Sequence, residues 1–191
     1  MGMPAVQRDW TAERVRELID ETRHWPRYEV IDGELLVTPA PEPPHQAAVL
    51  SLAVLLRPYT KATGVGSTMI SPADIEFSPR RMVQPDVFVV LPTSDGRRIR
   101  SWRDVPGLLL AVEVLSPSSA RSDRQLKRRL YQSEGVGEYW VIDLDGRVVE
   151  RWRPEDERPE VVDESLVWQP SAEHAPLVID LVAFFEEIVG E

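Results

Sequence analysis

Leu108-Leu-Leu-Ala-Val-Glu-Val-Leu115 is a run of eight residues of which only Glu113 is polar. So short an apolar run, rich in aliphatic side chains, reads as a central β-strand covered on both faces. Downstream of it, Ser122-Asp-Arg-Gln125 has the serine-to-glutamine spacing of a capping box, opening a helix that Gly135 closes. Residues 138–143 and 147–153 then form a hairpin about Asp145-Gly146. An acidic strand-and-turn stretch over 154–178 and a helix over 180–189 complete the chain. Upstream, Asp86-Val-Phe-Val-Val90 is a strand bounded by Pro85 and Pro92, preceded by short strands near 67–70 and 73–77. A helix runs from His45 to about Thr63; it is apolar nearly all round over 47–56, which predicts burial, and Pro58 ends or kinks it. Before that come a hairpin over 28–37 turning at Asp32-Gly33 and an amphipathic helix over 11–23. Strands alternate with helices without a dividing linker. The expectation is one α/β domain over 1–191 with a mixed sheet, its core over about 10–155 and its acidic extension over 156–191.

Composition narrows the chemistry. The 191 residues contain no cysteine, which removes disulfides, thiolate zinc sites and a cysteine nucleophile. No apolar run approaches the ~20 residues of a membrane span, and the first ten residues do not read as a secretory signal, so a soluble cytoplasmic protein is expected. The net charge of −10 argues against indiscriminate nucleic-acid binding. The charges are unevenly spread, however: residues 57–131 hold 13 of the 22 basic residues but 7 of the 32 acidic ones. That permits a locally positive face, as do scattered, solvated arginines.

Glu113 is the most informative single residue. A carboxylate inside an apolar strand costs several kcal/mol unless a cation, a metal or a shifted pKa compensates. Asp86 repeats the anomaly, although Pro-Asp alone is ordinary turn chemistry. Together the two acids are the hard oxygen ligands that Mg²⁺ requires. Glu34, just beyond the first hairpin turn, is a possible third ligand, or simply an exposed acid. Asp123, Lys127, Tyr131 and Glu134 share one helix face, and spacing alone favours a surface Asp123–Lys127 pair. The three histidines show no metal-pair spacing, and neither a phosphate-cradling glycine loop nor a Gly-x-Ser-x-Gly elbow is present. A glycosidase using Glu34 and Glu113 stays open, against a short chain with no obvious aromatic sugar platform.

Several motifs occur in order: residues 28–34, Pro39-Ala-Pro41 with His45-Gln46, Gln84-Pro-Asp-Val87, Glu113-Val-Leu-Ser-Pro-Ser-Ser119, then Asp123, Lys127, Tyr131 and Gly135-Val-Gly-Glu-Tyr-Trp-Val-Ile-Asp143. Over about 10–155 the chain resembles the Uma-two family of bacterial endonucleases, in the restriction-endonuclease-like PD-(D/E)XK superfamily. The resemblance implies a mixed sheet flanked by helices and a phosphodiester-cleaving site using Mg²⁺ or Mn²⁺. It implies Asp86 and Glu113 as ligands and Glu34 as an additional acid. The family's usual lysine, two residues after the second acid, is Leu115 here, and Lys127 on the following helix is the candidate to replace it. His45, Gln84 and Tyr131 are candidates for contacting substrate or supporting the ligands. The expected partner is nucleic acid, DNA foremost, with a homodimer as the assembly. The competing reading is a relative without catalysis that keeps the fold as a binding or assembly module.

Overall fold

The computed structural model describes residues 9–21 and 26–190. Helix α1 spans Ala12–Glu21; the last two residues of the expected helix, 22 and 23, lie outside the described residues. The hairpin is β1 (Arg27–Ile31) and β2 (Glu34–Thr38), turned by Asp32 and Gly33 at φ 51° and 86°, the positive values that an Asp-Gly turn supplies. Then follow α2 (Pro43–Thr63), β3 (Ser67–Ile70), β4 (Ile75–Ser78), β5 (Arg81–Val83), β6 (Val87–Val90) and β7 (Leu108–Val114). The next helix comes in three parts: α3 (Ala120–Ser122), a π-helical turn (Asp123–Lys127) and α4 (Arg128–Ser133). The chain continues through β8 (Glu138–Asp143), β9 (Val148–Trp152), β10 (Glu160–Val162), β11 (Ser165–Trp168) and β12 (Leu177–Asp180) to α5 (Leu181–Val189).

The expected mixed sheet is present, with two others beside it. Its six strands run in the order β10-β9-β8-β7-β6-β3, and β7/β8 is its one parallel pair. Parallel neighbours need a long crossover, which the helical segment 120–133 provides. A four-stranded antiparallel sheet has the order β2-β1-β5-β4, and β11 pairs with β12. As the apolar run implied, β7 is covered on both faces. Leu110, Val112 and Val114 face α2, α5 and the β11–β12 pair. Ala111 faces the second cluster, with Ile31, Val83, Leu130 and Tyr131. The acidic C-terminal stretch is built into the first of these cores, where Leu166, Trp168, Ile179 and Phe185 are almost wholly buried. Asp180 caps α5, its Oδ1 accepting from Ala183 N–H at 3.0 Å.

Two local expectations change. Helix α2 is buried on one side only: Ala48, Val49, Leu52, Leu56 and Thr60 are inside, whereas Leu50 and Val54 are 63% and 62% exposed. It continues through Pro58, and Gly64 closes it at φ 72°. The crossover helix starts at Ala120, not after a Ser122 cap. The preceding turn is closed by its own serines, Ser116 N–H donating to Ser119 Oγ at 3.2 Å and Ser119 N–H to Ser116 Oγ at 3.3 Å. Ser122 therefore lies within the helix and donates back to Ser119 O at 2.7 Å.

Gly66 gives a direct test of the β3–β6 packing. A Cβ there would lie 2.5 Å from Val90 O and 2.8 Å from Val89 Cγ1. Gly66→Ala is expected to cost about 1–3 kcal/mol, a fall in Tm of about 2–12 °C by circular dichroism. An unchanged Tm would show that this edge of the sheet yields freely. Among the described residues no helix is long and apolar enough to cross a membrane.

Candidate active site

The antiparallel register of β6 and β7 pairs Val87 with Val112, so the next residues along, Asp86 and Glu113, stand opposite one another. Strand alternation places Glu113 on the face of Ala111, toward the second core. Both acids are about 2% exposed. Asp86 is fully engaged: Oδ1 accepts from Arg27 Nη1 at 2.8 Å, and Oδ2 accepts from Val114 N–H at 2.9 Å and lies 3.1 Å from His45 Nε2. Burial alone would raise its pKa, but the His45 hydrogen bond, the Arg27 charge and the Val114 N–H hold it well below the usual carboxylate range.

Glu113 is pushed the other way. Burial raises its pKa most, Lys127 opposes, and the charges of Asp86, Asp123 and Glu29 raise it further. Its Oε1 lies 3.1 Å from Lys127 Nζ and accepts from Tyr131 Oη at 3.1 Å. Lys127 is the hub: its Nζ also lies 2.9 Å from Glu29 Oε2 and 3.3 Å from Asp123 Oδ1. The π-helical turn closes with Arg128 N–H donating to Asp123 O, and both of its ends, Asp123 and Lys127, are buried toward the sheet. Burial works to lower the Lys127 pKa, yet three carboxylates more than reverse that, so the ammonium stays charged.

Asp86, Glu113 and Lys127 thus converge as expected, with Lys127 buried instead of forming a surface pair. Glu34 does not join them. It is exposed beside the hairpin turn, paired in register with Ile31. The acid in the cluster is Glu29, on the same hairpin, whose Oε1 accepts from Gln84 N–H at 2.8 Å. Gln84 itself turns away, its side chain donating to Asp74 Oδ1 at 2.8 Å. Tyr131 is fully buried and orients Glu113; His45 reaches Asp86; His24 lies outside the described residues. Sequence reasoning missed Glu29 and Arg27. Leu115 is partly buried against the second core, so no cation occupies the usual motif position.

A cavity of about 610 Å³ opens over the cluster, bordered by Pro39, Pro41 and Pro44 on one side and by the 115–120 turn on another. Arg27, His45, Asp86, Glu113 and Lys127 line it. Arg124 also reaches it while bridging Asp143 at 2.7 Å and Glu150 at 2.6 Å. The arginines at 97, 98, 100 and 103 do not line it.

Among the described residues no three Asp, Glu or His side chains form a ready-made metal cage. The donor chemistry nevertheless fits a hard divalent cation. Two carboxylates are opposed on adjacent strands at a cavity, and Glu113 Oε2 takes no hydrogen bond from the described residues. Among the described residues, four carboxylates, at 29, 86, 113 and 123, share two permanent cations, Arg27 and Lys127. With all four ionised, the formal excess of two negative charges equals what one divalent ion neutralises, and Mg²⁺ commonly completes its shell with water and phosphate.

The Uma2 family model, described as a putative restriction endonuclease, matches residues 12–182. The chain is similar to the crystal structure of a putative nuclease belonging to DUF820 from Anabaena variabilis ATCC 29413, with a TM-score of 0.70 and 19% identity over 92% of this chain and 98% of that one. At that identity the likeness establishes the fold. No curated protein matches the chain.

Proposed function

Since the Uma2 model spans most of the chain, the protein belongs to the Uma2 family of putative restriction endonucleases, and we propose that it hydrolyses nucleic-acid phosphodiester bonds, DNA foremost, with Mg²⁺ or Mn²⁺ held by Asp86 and Glu113. The observation that carries this reading is the opposed Asp86–Glu113 pair at the cavity, with Lys127 Nζ 3.1 Å from Glu113. The bound ion would supply Lewis-acid polarisation of the phosphate and a lower pKa for water. The remaining work falls to the chain. Lys127 is held charged by three carboxylates, so it serves as a cation that offsets charge developing on the phosphate, not as a general base. Tyr131 fixes the Glu113 carboxylate, and Val114 N–H and His45 fix that of Asp86.

Incubating the protein with plasmid and oligonucleotide DNA and RNA tests the reading. Cleavage is expected with Mg²⁺ or Mn²⁺, none with EDTA, and a loss of at least about 100-fold in Asp86→Asn. Undiminished cleavage in EDTA would remove the metal from the scheme. No cleavage of any substrate would favour the binding-module reading, for which the net charge of −10 is the supporting observation. The expected homodimer is checked by sedimentation.

A further inference from the structure

The same pair of acids carries a device that neither family nor fold describes. We propose that Arg27 gates the site: it occupies Asp86 until a cation and a phosphate arrive together, then releases the carboxylate to the cation and binds the phosphate. The inference rests on reading Asp86 and Glu113 as the metal pair.

Three observations carry it. First, no oxygen of Asp86 is spare. Oδ2 is committed to Val114 N–H and His45, and Oδ1 accepts from Arg27 at 2.8 Å. Oδ2 already carries two partners, so the less crowded oxygen is Oδ1, and a cation approaching it from the cavity displaces Arg27 or shares that oxygen with a guanidinium that repels it. Secondly, the contact is built in. Arg27 is the first residue of β1, its side chain is 10% exposed, and Nη1 also donates to Gln84 O at 3.0 Å. Thirdly, Arg27 lines the cavity, so a guanidinium leaving Asp86 remains where a phosphate would sit. Its planar fork suits phosphate oxygens, which an ammonium engages only as a point charge. The consequence is linkage: phosphate that draws Arg27 off Asp86 tightens cation binding, and the cation tightens phosphate binding by the same factor.

Mn²⁺ titrations followed by electron paramagnetic resonance at pH 7.5 test the gate, on the native protein and Arg27→Met, with and without a short oligothymidylate whose linkages are cleavage-resistant phosphorothioates, its length checked after each titration. The native protein should bind Mn²⁺ weakly alone and about 10-fold more tightly with the oligonucleotide. Arg27→Met should bind Mn²⁺ about 10-fold more tightly than the native protein without oligonucleotide, and should lose the coupling. Damage to the fold would weaken Mn²⁺ binding, so a gain is diagnostic. If Arg27→Met does not fold, Arg27→Lys serves, with intermediate Mn²⁺ affinity and reduced coupling expected. Equal or weaker Mn²⁺ affinity in the folded variant overturns the gate while leaving the metal site standing. No Mn²⁺ binding by either protein, with or without oligonucleotide, overturns the gate and the metal reading together.

Discussion

Replacing Lys127 with methionine should cost the protein about 3–5 kcal/mol at pH 8, the usual penalty for leaving buried charges without their partner. The side chain is of similar length, so the loss would reflect charge more than volume. Glu29, Glu113 and Asp123 all approach Lys127 Nζ within 3.3 Å, and each is 1–2% exposed. Without the ammonium, Arg27 is the one permanent cation that the described residues leave beside four carboxylates. The penalty should shrink with acid. Glu113 and Asp123 have raised pKa values in the folded state, so protonation there favours folding; their contribution is full at low pH and is lost as pH rises through those values. Removing Lys127 raises both further, so the loss extends to higher pH and grows. Thermal unfolding at pH 5 and pH 8 should therefore show the smaller Tm deficit at pH 5. Adding Glu113→Gln to Lys127→Met should recover part of the deficit at pH 8. A cost below about 1 kcal/mol at pH 8, typical of exposed pairs, would mean that water reaches the cluster and that Lys127 is not its hub.

The sequence exposes this site where a residue contradicts its surroundings. Glu113 stands out because seven apolar neighbours surround it, and Asp86 because it opens another apolar strand. Glu29 does not stand out, since Tyr28-Glu-Val-Ile31 looks like a strand with one wet face. A weak signal was present: Arg27, Glu29 and Ile31 share one face, while Tyr28 and Val30 share the other. With apolar residues on both faces, the strand has to be covered on both. Glu34, the acid that the resemblance implied, lies beside the hairpin turn and is exposed, while its register partner Ile31 is buried. From spacing, Lys127 reads as a helix-face position at the edge of the core, and the family resemblance makes it the candidate lysine. Its burial depends on the π-helical turn, a hydrogen-bond pattern that no residue preference announces. The exposed side of α2 was hidden for a different reason. Leu50 and Val54 carry the same hydrophobicity as Leu52 and Leu56, and only tertiary packing tells them apart.

Glu113→Gln should separate stability from function most sharply. Glutamine keeps an oxygen to accept from Lys127 and Tyr131, but it removes one of the two excess negative charges. Cleavage should fall by at least about 1,000-fold, because a ligand to the ion is lost, while the fold without metal gains stability at pH 8, where the buried Glu113 carboxylate is replaced by a neutral amide. Thermal unfolding reads that gain as a higher Tm for the variant. The sign follows from the direction of the shift. Burial and neighbouring carboxylates raise the Glu113 pKa in the folded protein, so its ionisation opposes folding and stability drops as pH climbs through the raised value. Glutamine does not titrate, so the Tm advantage of the variant should widen from pH 5 to pH 8. Asp86, held well below its ordinary pKa, acts at the other end: its contribution is present above the ordinary carboxylate pKa and fades as pH falls toward its folded value in either protein. Mg²⁺ should reverse the ranking. The native protein gains stability as the ion binds its folded state, and more so at pH 8, where fewer protons compete for Glu113, whereas the variant barely responds. A variant no more stable than the native protein at pH 8 without metal would show that Lys127 already compensates Glu113. Equal Mg²⁺ responses in the two proteins would place the ion elsewhere.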